Sequence, residues 1–210
     1  MSGVAGLVSA NAAELRRLNE RIDETLSFRD RSAKDRAKWS RACAEFHARF
    51  SELSFPGGGE RWNAFLEGDS SEVETAVVFL EADPEFFRSG YIKEEIWKQL
   101  KRTQLSSKQL HRLQAVAIAY LRRCIRRQFW YMVRWARQHA AESFWHEVSE
   151  LARPENGSVG FKAHWLLLAR RNLPVQNWVS EEYRRAKYNP DYTANYWFSD
   201  RDGRRTRRRR

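Results

Sequence analysis

The residues best suited to chemistry are arginines grouped around a tryptophan in the second half of the chain. They are Arg123, Arg127, Trp130, Arg134 and Arg137. Their spacings of four, three, four and three residues place them on one face if the segment is a single helix. Guanidinium groups bind phosphate oxygens in a bidentate manner, and an indole stacks on a base. The pattern therefore predicts a surface for a polyanion, with nucleic acid as the first choice.

The same arginines also fit an ordinary solvent-exposed helix face. In that interpretation their apolar stems cover neighbouring side chains and their charges are neutralised by nearby carboxylates. The acidic residues available for this are Glu81, Glu94, Glu95 and Glu142. Sequence spacing does not decide between the two interpretations.

A second concentration of arginine lies at the C-terminus. Six arginines within seven residues would neutralise several phosphates without reading a base sequence, so they predict salt-sensitive binding. The run also fits a targeting signal, a patch for an anionic membrane surface or an acidic partner, or a solubilising end. Its members are Arg204, Arg205, Arg207, Arg208, Arg209 and Arg210.

Metal-capable side chains occur at His139, Glu142 and His146, whose spacings of three and four fit one helical face. A complete site would need another ligand from a different helix. A helix that begins between His139 and Glu142 would also remove the alignment. The ordinary interpretation is a histidine at a helix end and a surface Glu–His pair, so we predict no metal and no cofactor.

Motifs for covalent catalysis are missing from the sequence. There is no nucleophile elbow, Walker loop, dinucleotide glycine pattern or His-Glu-x-x-His. Cys124 lies among four arginines, which would activate an exposed thiol, but its position on the apolar side predicts burial. The sequence therefore favours a binding protein over an enzyme.

Charge and composition limit the class of protein. The net charge of +11 comes from residues 103–141, with eight basic and no acidic residues, and from the arginine-rich last ten residues. The longest apolar run is seven residues, Ala115 to Leu121, against the ~20 that a membrane span requires. No secretory signal is recognisable, and two cysteines cannot form a disulfide framework, so we expect a cytoplasmic protein.

Helical periodicity organises almost the whole chain, and Val, Ile and Thr total only 21 residues. The sequence predicts a first helix with Asn11 as its N-cap and a second helix that starts near Ser32. We expect the two to form an antiparallel hairpin, which ends at Pro56 and the three glycines that follow it. Asp83, followed by proline, predicts another helix start. Ser106 predicts a further one through a capping box with Gln109, and a break is expected near residues 122–127.

These elements predict three parts: an N-terminal helical hairpin at 1–55, a helical domain at 60–187, and an aromatic strap with an arginine-rich, disordered tail at 188–210. The strap contains five aromatic residues without helical spacing. We expect it either to pack back across the last helices or to present a docking patch. Its residues are Tyr188, Tyr192, Tyr196, Trp197 and Phe198.

The segment from Phe144 to Ala169 resembles a HEAT repeat. A helix is followed by Asn156, then Val159, Ala163 and Leu167 at the spacing of the turn and second helix of such a unit, although glycine follows Val159 where the family prefers arginine. The resemblance implies an all-α, right-handed stack of antiparallel helix pairs that binds large partners on a concave face. The alternative architecture is an irregular helical bundle.

Three functional hypotheses follow from these features. The first is a non-catalytic helical-repeat protein that binds nucleic acid through the basic helix face and the tail. The second is an adaptor that binds an acidic protein. The third is a nucleic-acid-modifying enzyme on a HEAT-like scaffold, as in some helical-repeat DNA glycosylases, with Glu94, Glu95 or Glu142 as the required carboxylate.

Overall fold

A computed structural model describes residues 2–153 and 156–171. Within these ranges the regular structure is helical and contains no strand, which confirms the all-α prediction. In the same ranges, no helix is both long and apolar enough to cross a membrane. The chain divides into two compact units, Met1–Leu105 (unit 1) and Ser106–Arg210 (unit 2). The HEAT-like solenoid and the three-part domain division remain predictions.

Unit 1 is built around an antiparallel hairpin of its first two helices. Leu15 and Leu18 pack against Phe46 in the hairpin core, and Ser32 caps the second helix by accepting from the backbone N–H of Asp35. The helices of the unit are α1 (Ser2–Leu26), α2 (Ala33–Leu53), α3 (Gly58–Glu67), a short 3-10 helix (Ser70–Glu72), α4 (Val73–Ala82) and α5 (Ser89–Leu100).

The first helix begins ten residues earlier than the sequence predicts. Asn11 lies inside α1 instead of capping it, and its Nδ2 donates to the backbone oxygen of Leu53 at 3.1 Å. Val8, one turn earlier, is already buried. Tertiary packing of this face outweighs the low helix propensity of Gly3 and Gly6, which hid the helical pattern.

The predicted helix start at Asp83 is also wrong. Asp83 ends α4 in the left-handed region (φ 42°), and α5 begins at Ser89 after Arg88, which is left-handed as well (φ 68°). The Asp83 carboxylate accepts from the buried Nζ of Lys93 at 2.5 Å instead of capping a helix. Gly90 therefore lies in the first turn of α5.

Unit 2 packs its helices around α9. The capping box of Ser106 and Gln109 is present at the start of α6, as predicted. α9 contacts α6, α7 and α8, and its Phe161 and Trp165 are fully buried. The described helices of the unit are α6 (Ser107–Leu121), α7 (Phe129–His139), α8 (Glu142–Leu151) and α9 (Gly157–Arg170).

The segment that resembles a HEAT repeat forms the helix pair α8–α9. Asn156 lies at the turn, where its Nδ2 donates to the backbone oxygen of Leu151 at 3.0 Å. Ala163 is fully buried between the packed helices, while Val159 and Leu167 are half-buried. The strap and tail at 188–210 lie outside the described residues.

Candidate functional site

The predicted arginine–tryptophan stripe is divided between a loop and a helix. α6 ends at Leu121 and α7 begins at Phe129, so the break expected near residues 122–127 is confirmed. Arg123 and Arg127 lie in the connection, whereas Trp130, Arg134 and Arg137 lie on α7. The five residues do not share one helical face.

The break results from a side chain that replaces the helical hydrogen bonds. Lys162 of α9 is only 2% exposed, and its Nζ donates to the backbone oxygens of Leu121 at 2.9 Å and Arg123 at 2.5 Å. In a continuous helix these oxygens would accept from backbone N–H groups four residues later. The lysine thus terminates α6 and anchors the following residues.

Burial dominates the titration of Lys162. Removing the ammonium from water lowers its pKa below the ordinary value of 10.5, and the charge of Cys124 acts in the opposite direction. The two carbonyl oxygens at the end of α6 carry the partial negative charge of the helix terminus, which suits a cationic donor. The sequence contained no signal for this contact, because it joins residues about 40 positions apart.

Residues 122–127, here called the arginine loop, present four exposed guanidinium groups. The side chain of Ile125 is buried, as is that of Gln128 immediately after the loop. These two side chains anchor the backbone, while the arginines of the loop remain exposed. The exposed arginines are Arg122, Arg123, Arg126 and Arg127.

The arginines of α7 extend this basic surface. Arg134 and Arg137 are exposed, and the Arg134 guanidinium carbon lies 5.0 Å from the centroid of the Tyr131 ring. Arg137, like Arg123, Arg126 and Arg127, also takes part in interactions within the chain. The loop and α7 therefore present a concentration of exposed arginines, several of which also interact with other residues of the chain.

Trp130 is used partly for packing. Its ring is half-buried, with its centroid 5.5 Å from that of Trp165 and 5.3 Å from that of Phe129. These contacts occupy part of the indole surface that the sequence assigned to base stacking. A stacking role for Trp130 remains a prediction.

Three of the four carboxylates proposed to neutralise the stripe bind other cations. Glu142 accepts from Arg170 of α9. Glu94 and Glu95 of α5 both bind Lys98, at 2.7 and 2.6 Å. Glu81 also has an interaction within the chain.

The possible metal ligands are separated by a helix boundary. α7 ends at His139 and α8 begins at Glu142, and the His139 ring stacks on Trp135 with the centroids 6.0 Å apart. His146 is exposed on α8. Within residues 2–153 and 156–171, no group of three His, Cys, Asp or Glu side chains is arranged to hold a metal ion.

Cys124 is exposed, so the prediction that it is buried is wrong. The helical spacing that placed it on the apolar side does not apply, because the residue lies in the arginine loop. The arginine run at 204–210 lies outside the described residues. By sequence, unit 2 contains 22 of the 38 basic residues and 9 of the 27 acidic ones, so the positive excess belongs to this unit.

Comparisons of the chain with protein-family models, with curated proteins and with solved structures find no match.

Proposed function

We propose that the protein binds nucleic acid without catalysis, through the arginine loop, the exposed arginines of α7 and the C-terminal arginine run. The observation that carries the proposal is the arginine loop itself. Four guanidinium groups within six residues are exposed on a segment whose backbone is held by the buried Ile125 and by Lys162. Preorganised cations lose less conformational entropy on binding than cations on a mobile segment.

The chemistry of the surface favours phosphate as its ligand. Arginine binds phosphate oxygens bidentately and retains its charge at every physiological pH. A field from concentrated positive charge also increases the rate of encounter with a polyanion. Because these contacts reach the backbone, the proposed binding is largely independent of base sequence.

We further propose that the helix pair α8–α9 is a HEAT-like repeat unit and that the protein acts in the cytoplasm. The position of Asn156 at the turn and the burial of Ala163 support the first proposal. The two free thiols, Cys43 and Cys124, support the second, because a reducing compartment maintains free cysteines.

The test measures binding of a fluorescent single-stranded oligonucleotide to the full chain by anisotropy over a series of salt concentrations. The test variant replaces the four arginines of the arginine loop with glutamine. Each lost phosphate contact reduces the slope of log K against log salt by about 0.7, so the loss of all four flattens it by about 3. Affinity at low salt should fall accordingly.

A matched control removes the same charge from unit 1. Arg29, Arg31, Arg36 and Arg41 are all exposed near the α1–α2 connection, and their replacement by glutamine should leave affinity and slope close to those of the unmodified chain. Equal losses in both variants would show that only net charge matters and would overturn the proposed site. Absence of binding by the unmodified chain at low salt would overturn the function.

Two further measurements separate this function from the other hypotheses. Polyglutamate should bind more weakly than an oligonucleotide of equal charge, and equal or tighter binding would favour an adaptor for an acidic protein. The oligonucleotide should also be recovered intact with its bases unmodified after prolonged incubation. Cleavage or base loss would indicate an enzyme.

A further inference from the structure

Unit 1 presents an exposed aromatic pair where the α4–α5 connection enters α5. Phe87 and Tyr91 are each 52% exposed, more than any other large apolar side chain in the described residues. The Tyr91 N–H donates to the backbone oxygen of Arg88, so both rings and the Arg88 side chain come from one turn of chain. Two exposed rings this close in sequence indicate an interaction surface.

The backbone of this connection is held in an unfavourable conformation at both ends. Asp83 and Arg88 are the non-glycine residues with positive φ in the described part of the chain. A left-handed backbone is unfavourable for arginine and persists only where the surrounding structure imposes it, which is typical of functional segments. Glycine would remove the strain, but it would also remove the guanidinium beside Phe87.

Anchors on both sides fix the connection to the rest of unit 1. The Lys93–Asp83 ion pair is buried with an N–O distance of 2.5 Å. Nη1 of Arg16 donates to the backbone oxygen of Glu85 at 2.9 Å. The aromatic pair is therefore presented on an anchored segment, as an interaction site requires.

The charges around the aromatic pair indicate which kind of molecule binds to it. Glu85 and Arg88 are both exposed and flank Phe87 in the sequence, and the Arg88 guanidinium carbon lies 5.5 Å from the centroid of the Phe87 ring. Opposite charges next to the same rings are what a self-complementary dimer interface needs, because a two-fold axis can then place Glu85 of one copy against Arg88 of another. Phosphate is a poorer occupant, because residues 81–95 contain five acidic residues and only two basic ones.

We propose that a second copy of the chain docks on this surface, with the Phe87 and Tyr91 rings at the centre and Glu85–Arg88 pairs on each side. Unit 1 has 16 basic and 18 acidic residues, so its own net charge does not oppose the approach of a second copy. Half-exposed rings offer roughly 100 Å² each, or roughly 400 Å² in total, against about 1,200 Å² or more for a stable interface. The dimer is therefore weak and depends on concentration.

The first test is sedimentation velocity of the full chain over the micromolar range, after nuclease treatment and with a reductant present so that Cys124 does not cross-link the copies. The unmodified chain should shift from monomer to dimer as concentration rises. Phe87→Ser with Tyr91→Ser should abolish the shift. Leu26→Ser with Phe28→Ser, which removes two other exposed apolar side chains of unit 1, should not.

Charge exchange keeps the proposal falsifiable if the serine variant is poorly folded. Glu85→Arg and Arg88→Glu should each weaken the dimer by at least about tenfold, because like charges then meet across the axis, and the double exchange should restore it. Arg88→Glu also keeps a non-glycine residue at the strained position. A monomer at every concentration, a dimer that survives the loss of both rings, or a double exchange without recovery would each overturn the proposal.

Discussion

Replacement of Lys162 by methionine tests how unit 2 forms its arginine loop. The lysine ammonium is the donor to two backbone oxygens, of Leu121 and Arg123, at the end of α6. Methionine retains most of the length and fills the buried volume, but it cannot donate. The substitution therefore isolates the two hydrogen bonds from the packing of the side chain.

The expected magnitude follows from opposing contributions. A hydrogen bond from a charged donor contributes about 1.5–3 kcal/mol, and a buried carbonyl left without a donor costs about 1–3 kcal/mol. Methionine also removes the cost of burying an ammonium group. The Arg123 carbonyl is only partly buried and can bind water instead. We expect a loss of about 2 kcal/mol in the free energy of unfolding at neutral pH.

The pH dependence of that loss has a definite sign. Burial lowers the pKa of Lys162 below 10.5, so between its folded-state pKa and 10.5 the unfolded chain binds more protons than the folded chain. The contribution of this lysine to the free energy of unfolding therefore increases as pH rises through that interval. Methionine lacks this increase, and the stability difference between the two proteins should widen with pH.

Urea unfolding at several pH values from neutral to 10.5 measures this difference. Both proteins should carry Cys124→Ser, because the thiolate opposes the shift at Lys162. In oligonucleotide binding, Lys162→Met should lower affinity while leaving the salt slope almost unchanged, because all four loop arginines remain. Equal stability of the two proteins, or a difference that narrows with rising pH, would refute the anchoring role.

Two further substitutions test the half-buried His164 and the buried Lys93. Burial and the charge of Arg171 lower the pKa of His164 below 6.5, so the free energy of unfolding should fall as pH drops through and below 6.5. His164→Gln should reduce that fall, while His146→Gln, at an exposed histidine, should not. Identical pH profiles for the three proteins would contradict the role of His164. Lys93→Met should lower the free energy of unfolding by about 3–5 kcal/mol, because it leaves the buried Asp83 without this cation. Adding Asp83→Asn should recover part of the loss, as measured by urea unfolding. A single variant as stable as the double variant would contradict this prediction.

Local signals in the sequence predict much of the fold. The side chain of Ser106 caps α6 within three residues, and the spacing of Leu15 and Leu18 places both in the hairpin core. These features depend on neighbours in the chain, so their effect can be read directly. The all-α class is predicted by helical periodicity along the chain, and the break after α6 by the excessive length that one uninterrupted helix over residues 107–139 would have.

Long-range contacts account for what the sequence did not predict. Asn11 has a residue type that favours an N-cap, but its side chain donates to the Leu53 carbonyl, which lies 42 positions away. Asp83 also has a residue type that favours an N-cap, yet Lys93 binds its carboxylate across the connection. In both cases the residue type fits a local capping role, but the side chain forms its hydrogen bond with a residue outside that helix end.

The candidate site shows the same limit with a functional consequence. Helical spacing grouped Arg123 and Arg127 with Arg134 as one face, but Lys162 ends α6 and moves the first two into a loop. The change places these arginines on a short, anchored segment with Arg122 and Arg126 beside them, so the four cations project from a loop instead of from the side of a helix. A single buried lysine on α9 thereby determines the geometry of the proposed binding surface. For this reason the binding of Lys162→Met is expected to weaken although every exposed charge of the surface is retained.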